Sequence, residues 1–159
     1  MPSKTLATTA GAALATAVVG GLASRPAQSP WYTRLKKPSF QPPRQAFPIV
    51  WPILYTDIAV VSASTIDTLE EQGRHDEARA YTRALAANLV LNAGWSWIFF
   101  NQRRLGSAAV AAAALAVSST DLARRAASVQ PAAGAALAPY PLWCAFATAL
   151  SGRIWQLNR

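Results

Sequence analysis

Long runs without charged side chains alternate with short polar segments along the whole chain. Four runs carry no charge and a fifth carries only Asp57; the runs are residues 5–24, 45–66, 84–102, 105–120 and 126–152. A helix that spans a membrane needs about 20 mostly apolar residues. The pattern therefore predicts five helices and no strand, with the helices at residues 5–23, 47–66, 81–101, 105–125 and 135–155.

The segments between these helices are short. Residues 25–46, here called the basic loop, contain five basic and no acidic side chains, and their prolines exclude a continuous helix. Residues 67–83 are predicted as a polar loop, residues 103–104 as a tight turn, and residues 131–134 as a break. Pro52 is expected to kink the second helix.

Composition supports a membrane protein over a soluble one. Hydrophobic residues make up 52% of the chain and charged residues 14%, whereas a typical soluble domain has about 25% charged residues. The alternative is a soluble helical protein with an alanine-rich core, but five long uncharged runs are hard to bury in one small domain. The predicted fold is a single all-α membrane domain, residues 1–159, built as a five-helix bundle.

The net charge of +8 comes from basic residues at the ends of apolar runs, not from one solvated face, so no nucleic acid is expected as a partner. Nine basic residues lie on the side of the basic loop and six on the other. The positive-inside rule then places the N-terminus outside and the C-terminus in the cytoplasm. Helix 1 also has the pattern of a cleavable signal, with Lys4, an apolar run and small residues near Ala23.

Few residues in the predicted spans offer catalytic or metal chemistry. The only histidine, His75, lies in the polar loop, and the only cysteine, Cys144, excludes an internal disulfide and a multi-cysteine metal site. No catalytic triad, phosphate-binding loop or carboxylate pair is visible. We expect no metal site and no catalytic residues of these kinds.

Two polar residues inside the spans need an explanation, because a polar group in the membrane is costly without a partner. Asn92 either bonds a neighbouring helix or points at a ligand. Asp57 is either a proton or cation site or a carboxyl group bonded to Ser62, Ser64 or another helix. It lies away from the helix face that carries Trp51.

Aromatic and polar side chains share one face on each of three predicted helices. The faces comprise Phe47, Trp51, Leu54, Tyr55 and Ile58 on helix 2, Asn88, Asn92, Trp95 and Phe99 on helix 3, and Tyr140, Trp143, Ala147 and Ser151 on helix 5. Ordinary core packing and an aromatic belt at the membrane interface explain part of this pattern. They explain the mid-helix amide of Asn92 poorly, and this leaves both a bond to a neighbouring helix and a ligand contact open.

Three motifs resemble those of one family. They are residues 37–43 (Lys-Pro-Ser-Phe-Gln-Pro-Pro) with residues 50–55 (Val-Trp-Pro-Ile-Leu-Tyr), residues 91–100 (Leu-Asn-Ala-Gly-Trp-Ser-Trp-Ile-Phe-Phe), and residues 139–143 (Pro-Tyr-Pro-Leu-Trp). In this order and spacing they resemble the tryptophan-rich sensory protein family, which includes the mitochondrial translocator protein, or peripheral benzodiazepine receptor. The resemblance spans residues 31–158 and favours retention of helix 1.

The resemblance implies a five-helix homodimer in a membrane, here expected to be a bacterial cell membrane. It implies binding of porphyrins and related tetrapyrroles, and of isoquinoline-type and benzodiazepine-type compounds, as ligands and not as resident cofactors. The pocket residues of the family would fall on Trp51, Tyr55, Asn92, Trp95, Trp143 and Ala147. The basic loop would act as a lid whose ligand contacts are Phe40, Lys36, Lys37 and Arg44.

The resemblance leaves three functions open. The first is a tetrapyrrole-binding sensor or carrier, the second an enzyme that degrades porphyrin in light, and the third a dimeric scaffold. The sequence does not predict sterol binding, because Trp155 is the only aromatic residue shortly before Arg159, where the sterol motif needs a tyrosine. Small-residue stripes predicted as dimer faces are Ala108, Ala112 and Ala116, or Ala86, Val90 and Ala93.

Overall fold

The computed structural model describes residues 2–25, 29–43 and 45–159, and these contain helices and no strand. The helices are α1 (Pro2–Ala23), α2 (Pro30–Arg34), α3 (Ala46–Glu71), α4 (His75–Ser96), α5 (Leu105–Val129), α6 (Pro131–Leu137) and α7 (Pro139–Asn158). A π-helical segment, Trp97–Asn101, extends α4. The all-helical class predicted from the sequence is confirmed.

Within the described residues, four segments are long and apolar enough to cross a membrane: Lys4–Ala23, Ala46–Glu71, Leu105–Val129 and Pro131–Asn158. α4 is not among them, because its N-terminal half carries Asp76, Glu77, Arg79 and Arg83. The sequence pattern treats these charged residues as outside the helix, whereas the structure includes them in it.

The predicted polar loop at residues 67–83 is wrong. α3 continues to Glu71 and α4 begins at His75, so three residues connect them. Gly73 takes a left-handed conformation (φ 72°) that glycine adopts at little cost, and it closes the end of α3. Charged residues cannot extend a membrane span, but they can extend a helix into water.

Ion pairs at the start of α4 support this extension. The Arg74 guanidinium donates to Glu77 at 2.8 Å, and this hydrogen bonding lowers the pKa of Glu77 below its usual value. Arg79 pairs with Asp76 at 2.6 Å. The acidic side chains of Asp76 and Glu77 in the first turn also stabilise α4, because they lie at the positive end of the helix dipole.

The bundle is held by two sets of neighbouring helices. α1 packs along α3 and α4, while α5 packs along α4, α6 and α7. Ala108 and Ala112 of α5 are 0% and 1% exposed within the single chain. Ala108 and Ala112 of the small-residue stripe on α5 therefore face helices of the same chain, because small side chains let helices approach closely.

The last predicted helix is interrupted. It begins at Pro131, earlier than expected, and α6 and α7 meet at Ala138, just before Pro139. α6 lies against the end of α5 so closely that a Cβ atom on Gly134 would stand 2.3 Å from the Ala127 Cβ atom. By contrast, Pro52 lies inside α3 without ending it.

Candidate functional site

A cavity of about 930 Å³ lies between α1, α3, the end of α4 and α7, beneath the basic loop. Its aromatic and polar lining residues are Ser24, Tyr32, Gln41, Phe47, Trp51, Tyr55, Thr56, Asn92, Trp95, Ser96, Phe99, Phe100 and Ser151. Half-exposed Leu6, Leu14 and Val60 also line it, so the cavity reaches the outer surface between α1 and α3. Concave, mostly apolar spaces of roughly 300–1,000 Å³ are typical of small-molecule sites.

The wall formed by α1 consists mainly of small residues. Ala10, Ala13, Ala17, Gly20 and Gly21 all line the cavity. A Cβ atom at Gly20 would stand 3.8 Å from both the Ser96 Oγ and the Tyr55 hydroxyl oxygen. No site residue is predicted on this helix from the sequence. Its small residues equally indicate close helix packing, so they do not by themselves indicate a cavity wall.

A hydrogen-bonded chain of buried polar groups runs from the cavity into the bundle. The Tyr55 hydroxyl donates to Asn92 Oδ1 at 2.8 Å, and Asn92 Nδ2 donates to the Tyr140 hydroxyl at 3.1 Å. Tyr140 in turn donates to Asn88 Oδ1 at 2.7 Å. Of the two alternatives for Asn92, bonding to neighbouring helices is therefore confirmed, and the residue also lines the cavity.

The far end of this chain lies on α5. Asn88 Nδ2 donates to the hydroxyl oxygens of Ser118 and Ser119, each at 3.2 Å. Ser119 also contacts the Cys144 Sγ atom at 3.4 Å. Each amide thus has partners on at least two sides, which removes the cost of burying it in an apolar bundle.

We expect Tyr140→Phe to lower the free energy of unfolding by about 2 kcal/mol, since it leaves one donor and one acceptor of two buried amides unpaired. Tyr55→Phe removes one hydrogen bond beside the cavity and should cost about half as much. Equilibrium unfolding in detergent measures both. Equal losses for the two variants would contradict the central place of Tyr140.

The predicted aromatic residues of α3 and α4 meet at the cavity. Trp51 and Tyr55 lie with ring centroids 5.5 Å apart, and Trp95 and Phe99 lie 5.9 Å apart. Trp95 Nε1 and Gln41 Oε1 are buried polar atoms of the lining, and neither has a hydrogen-bond partner among the residues that the structure describes. The structure therefore brings together four predicted residues, Trp51, Tyr55, Asn92 and Trp95.

Trp143 and Ala147 of α7 are placed differently: neither is among the described residues that line this cavity. Trp143 packs edge-on against Trp51 at 6.4 Å and lines a separate apolar groove of about 440 Å³ with Leu142 and Phe146. Two to three turns beyond Trp143, Leu150, Ser151 and Ile154 supply the α7 side of the cavity. Helical spacing identified the face of α7 that is directed at the cavity, but it did not identify which turns of that face line the cavity.

The basic loop contributes Tyr32 and Gln41 to the cavity, which the sequence analysis did not single out. Phe40 lies outside against Phe146, with ring centroids 6.1 Å apart. Neither Lys36 nor Lys37 is among the described residues of the lining.

The two lysines lie in different surroundings. Lys36 is exposed, whereas the Lys37 ammonium donates to the Tyr32 carbonyl at 2.7 Å and lies over the Tyr32 ring. Arg44, the fourth predicted contact of the loop, lies outside the described residues.

Asp57 is half-buried on α3 and does not line the cavity. Its Oδ2 atom is buried without a hydrogen-bond partner. Among the described residues the Asp57 carboxyl makes no hydrogen bond to Ser62, Ser64 or another helix, and the Ser62 hydroxyl bonds to the Tyr81 hydroxyl at 3.0 Å instead. The prediction that Asp57 lies away from the Trp51 face agrees with its position outside the lining.

These features can be compared with known proteins. The model of one family, described as the TspO/MBR family, matches residues 8–156. This chain belongs to the TspO/MBR family. The match covers the cavity and most of every helix, so the family resemblance seen in the three sequence motifs is confirmed.

Three relatives illustrate the family. The tryptophan-rich protein TspO of Chlorobaculum tepidum is 32% identical over 97% of this chain and 96% of its own length. The translocator protein of Ovis aries is 34% identical over 81% of this chain and 75% of its own length. The membrane protein YtaB of Bacillus subtilis is 34% identical over 84% of this chain and 83% of its own length. With its long apolar helices, this family member is a multi-pass integral membrane protein.

Proposed function

We propose that this protein is a membrane sensor or carrier that binds porphyrins and related tetrapyrroles in the cavity beneath the basic loop. The observation that carries the proposal is the cavity of about 930 Å³. Trp51, Trp95 and the amide-bearing Asn92 all line it. A porphyrin is a flat aromatic ring system, and indole faces stack on such rings. The cavity suits isoquinoline-type and benzodiazepine-type compounds for the same reason.

The polar groups suit the remaining ligand chemistry. A porphyrin carries two carboxylates at one edge. Tyr32 and Gln41 of the basic loop line the cavity, and the contacts that we propose for the carboxylates are the exposed Lys36 and, from its place in the sequence alone, Arg44. Charge-assisted hydrogen bonds from these side chains would hold the carboxylates at the membrane edge. We propose Trp143 as a support for Trp51, given their edge-on contact.

Titration of purified protein with protoporphyrin, followed by quenching of tryptophan fluorescence, tests the proposal. We expect saturable binding, and we expect Trp51→Ala to weaken it severalfold, because a stacked aromatic pair contributes about 1 kcal/mol beyond the area it buries. The control is Trp155→Ala, a half-exposed tryptophan outside the lining. Wild-type protein that shows no saturable binding would overturn the proposed function.

One arrangement favours the enzymatic alternative, light-dependent porphyrin breakdown. Trp51 lines the cavity and contacts Trp143, which lines the separate apolar groove. Two neighbouring indoles are thus placed to exchange electrons with a bound porphyrin that has absorbed light. Illumination of the porphyrin complex with and without oxygen separates the two functions. An unchanged spectrum supports a binder, and loss of the porphyrin bands with a new product supports an enzyme.

We propose that the uncharged C-terminal part of α4 and its π-helical extension form a fifth membrane span, with the N-terminus outside and the C-terminus in the cytoplasm. Residues 84–102 carry no charge, and this half of α4 packs among α1, α3 and α5. The nine basic residues on the side of the basic loop support this orientation. Relatives in two bacteria support a location in a bacterial cell membrane.

The orientation predicts the accessibility of exposed Ser39 in the basic loop. We expect a cysteine at this position, with Cys144 replaced by serine, to react with an impermeant maleimide only after the cells are opened. A cysteine at exposed Gln72, on the opposite side, should react in intact cells. The reverse pattern would invert the topology.

We also propose a homodimer. With most of the α5 stripe buried inside the chain, the remaining face is on α4, where Val90 is 71% exposed and Ala86 is exposed. Small side chains let backbones approach closely where lipid provides no hydrophobic drive. The mass of the protein in several mild detergents tests the dimer, and Ala86→Trp should disrupt it.

A further inference from the structure

The side chain of Asn158, at the end of α7, holds the middle of the basic loop. Its Oδ1 atom accepts a hydrogen bond from the Lys36 backbone N–H at 2.9 Å, and its Nδ2 atom donates to the Lys36 carbonyl at 2.8 Å. The same Nδ2 group donates to the Ile154 carbonyl at 2.7 Å. One amide therefore uses both of its donor hydrogens and its acceptor to join the loop to the last turn of α7.

Both parts that Asn158 joins belong to the surroundings of the cavity. Ile154 lines the cavity from α7, and Tyr32 and Gln41 line it from the loop on either side of Lys36. Gln41 Nε2 donates to the Tyr32 hydroxyl at 3.2 Å, so the two loop positions are also joined to each other. A bond at Lys36 therefore restrains the segment that covers the cavity.

The first part of the loop has other anchors. Trp31 lies edge-on to Phe99 at 6.3 Å, and the Arg103 guanidinium lies 5.0 Å from the Trp31 ring. Leu35 packs in the same apolar cluster as Phe99 and Ile154. Past Leu35, the pair of bonds to Asn158 joins the loop backbone to a helix that is distant in sequence.

We infer that Asn158 is a positioning residue that latches the basic loop over the cavity and thereby sets how fast the cavity opens. This inference rests on the proposed function where it concerns a bound tetrapyrrole, but the latch itself is a property of the ligand-free protein. Loss of the latch removes the hydrogen bonds that tie Lys36 to α7, so the backbone between Leu35 and Gln41 opens more often, with Phe40 against Phe146 as its remaining ring contact with that helix, while the helices stay packed. Ligand exchange through the loop becomes faster.

Hydrogen–deuterium exchange of the ligand-free protein in detergent tests the latch directly. We expect Asn158→Ala to raise the exchange of the backbone amides of residues 35–41, apart from Pro38, which has no amide hydrogen, about tenfold, a change of about 1.4 kcal/mol in the opening equilibrium. Amides of the preceding turns of α7 should be unchanged, because the last carbonyls of a helix can bond water. The matched control is Gln156→Ala, an exposed amide on the same turn whose side chain pairs with Arg153.

A second variant keeps the test decisive if the alanine variant folds poorly. Asn158→Asp can still accept from the Lys36 N–H but cannot donate to its carbonyl, so it should raise loop exchange by less than alanine does. Loop exchange equal to wild type in a folded Asn158 variant would overturn the inference, as would exchange that rises equally in Gln156→Ala.

The rate of protoporphyrin release separates this inference from the proposed function. We expect release from Asn158→Ala to be about tenfold faster than from wild type or Gln156→Ala. Unchanged release together with faster loop exchange would show that the loop opens without gating the ligand and would overturn the gating role. Wild-type protein that binds no porphyrin would overturn the proposed function, while loop exchange would still decide whether Asn158 latches the loop.

Discussion

Gly20→Leu should abolish most porphyrin binding while leaving the fold intact. A Cβ atom at this position would make only ordinary contacts, at 3.8 Å from Ser96 and Tyr55, so a larger side chain can extend into the cavity. Leucine is also a better helix former than glycine. We expect affinity for protoporphyrin to fall at least tenfold, or about 1.4 kcal/mol, because the side chain occupies space that the ligand needs.

Two variants of the same helix serve as controls for this result. Gly20→Ala should change affinity little, since its methyl group fits at contact distance. Gly11→Leu places the same bulk at an exposed position with no other atom within 4 Å, and it should bind as wild type does. If Gly20→Leu keeps full affinity by the same fluorescence titration, the ligand does not occupy this cavity.

Gly134→Ala should be among the most destabilising conservative changes in the chain. The added Cβ atom would stand 2.3 Å from the Ala127 Cβ and 2.7 Å from its Cα, so α6 and α5 must move apart. Overpacking against backbone costs about 1–3 kcal/mol or more, and we expect a loss of at least about 2 kcal/mol. Thermal or denaturant unfolding in detergent gives the value.

The matched control for Gly134 is Gly152→Ala in α7. No atom lies within 4 Å of that added Cβ, and alanine is the better helix former, so this variant should be as stable as wild type or more stable. Similar stabilities for the two alanine variants would mean that α5 and α6 do not approach as closely as described.

The helices could be predicted from the sequence because the membrane requires long uncharged segments, and this requirement shows directly in the pattern of charges. The residues at which the helices begin and end could not be predicted in this way. Four of the nine residues from His75 to Arg83 are charged, and this pattern predicts a loop, yet water supports a helix there as well as it supports a loop. The break at Ala138 was misplaced because prolines at the start of a helix and in a loop look alike in sequence.

The site could be predicted in part for a related reason. Spacing along α3 and α4 shows which side chains share a face, and this identified Trp51, Tyr55 and Asn92. It gives no information about which turn of one helix lies opposite which turn of another. Spacing could not show that Trp143 contacts Trp51 from outside the cavity lining. It also could not show that Ile154 lines the cavity.

The contribution of α1 has a consequence for how the protein matures. This helix carries the pattern of a secretion signal, but five of its small residues form one wall of the cavity, and its last carbonyl, at Ala23, accepts a hydrogen bond from Asn101 at 2.7 Å. Thr9 also donates to the Ala59 carbonyl at 2.9 Å. A peptidase that cut after Ala23 would remove this wall and leave the Asn101 amide without its partner. Processing at that bond and an intact cavity therefore exclude each other, and we expect α1 to be retained in the finished protein.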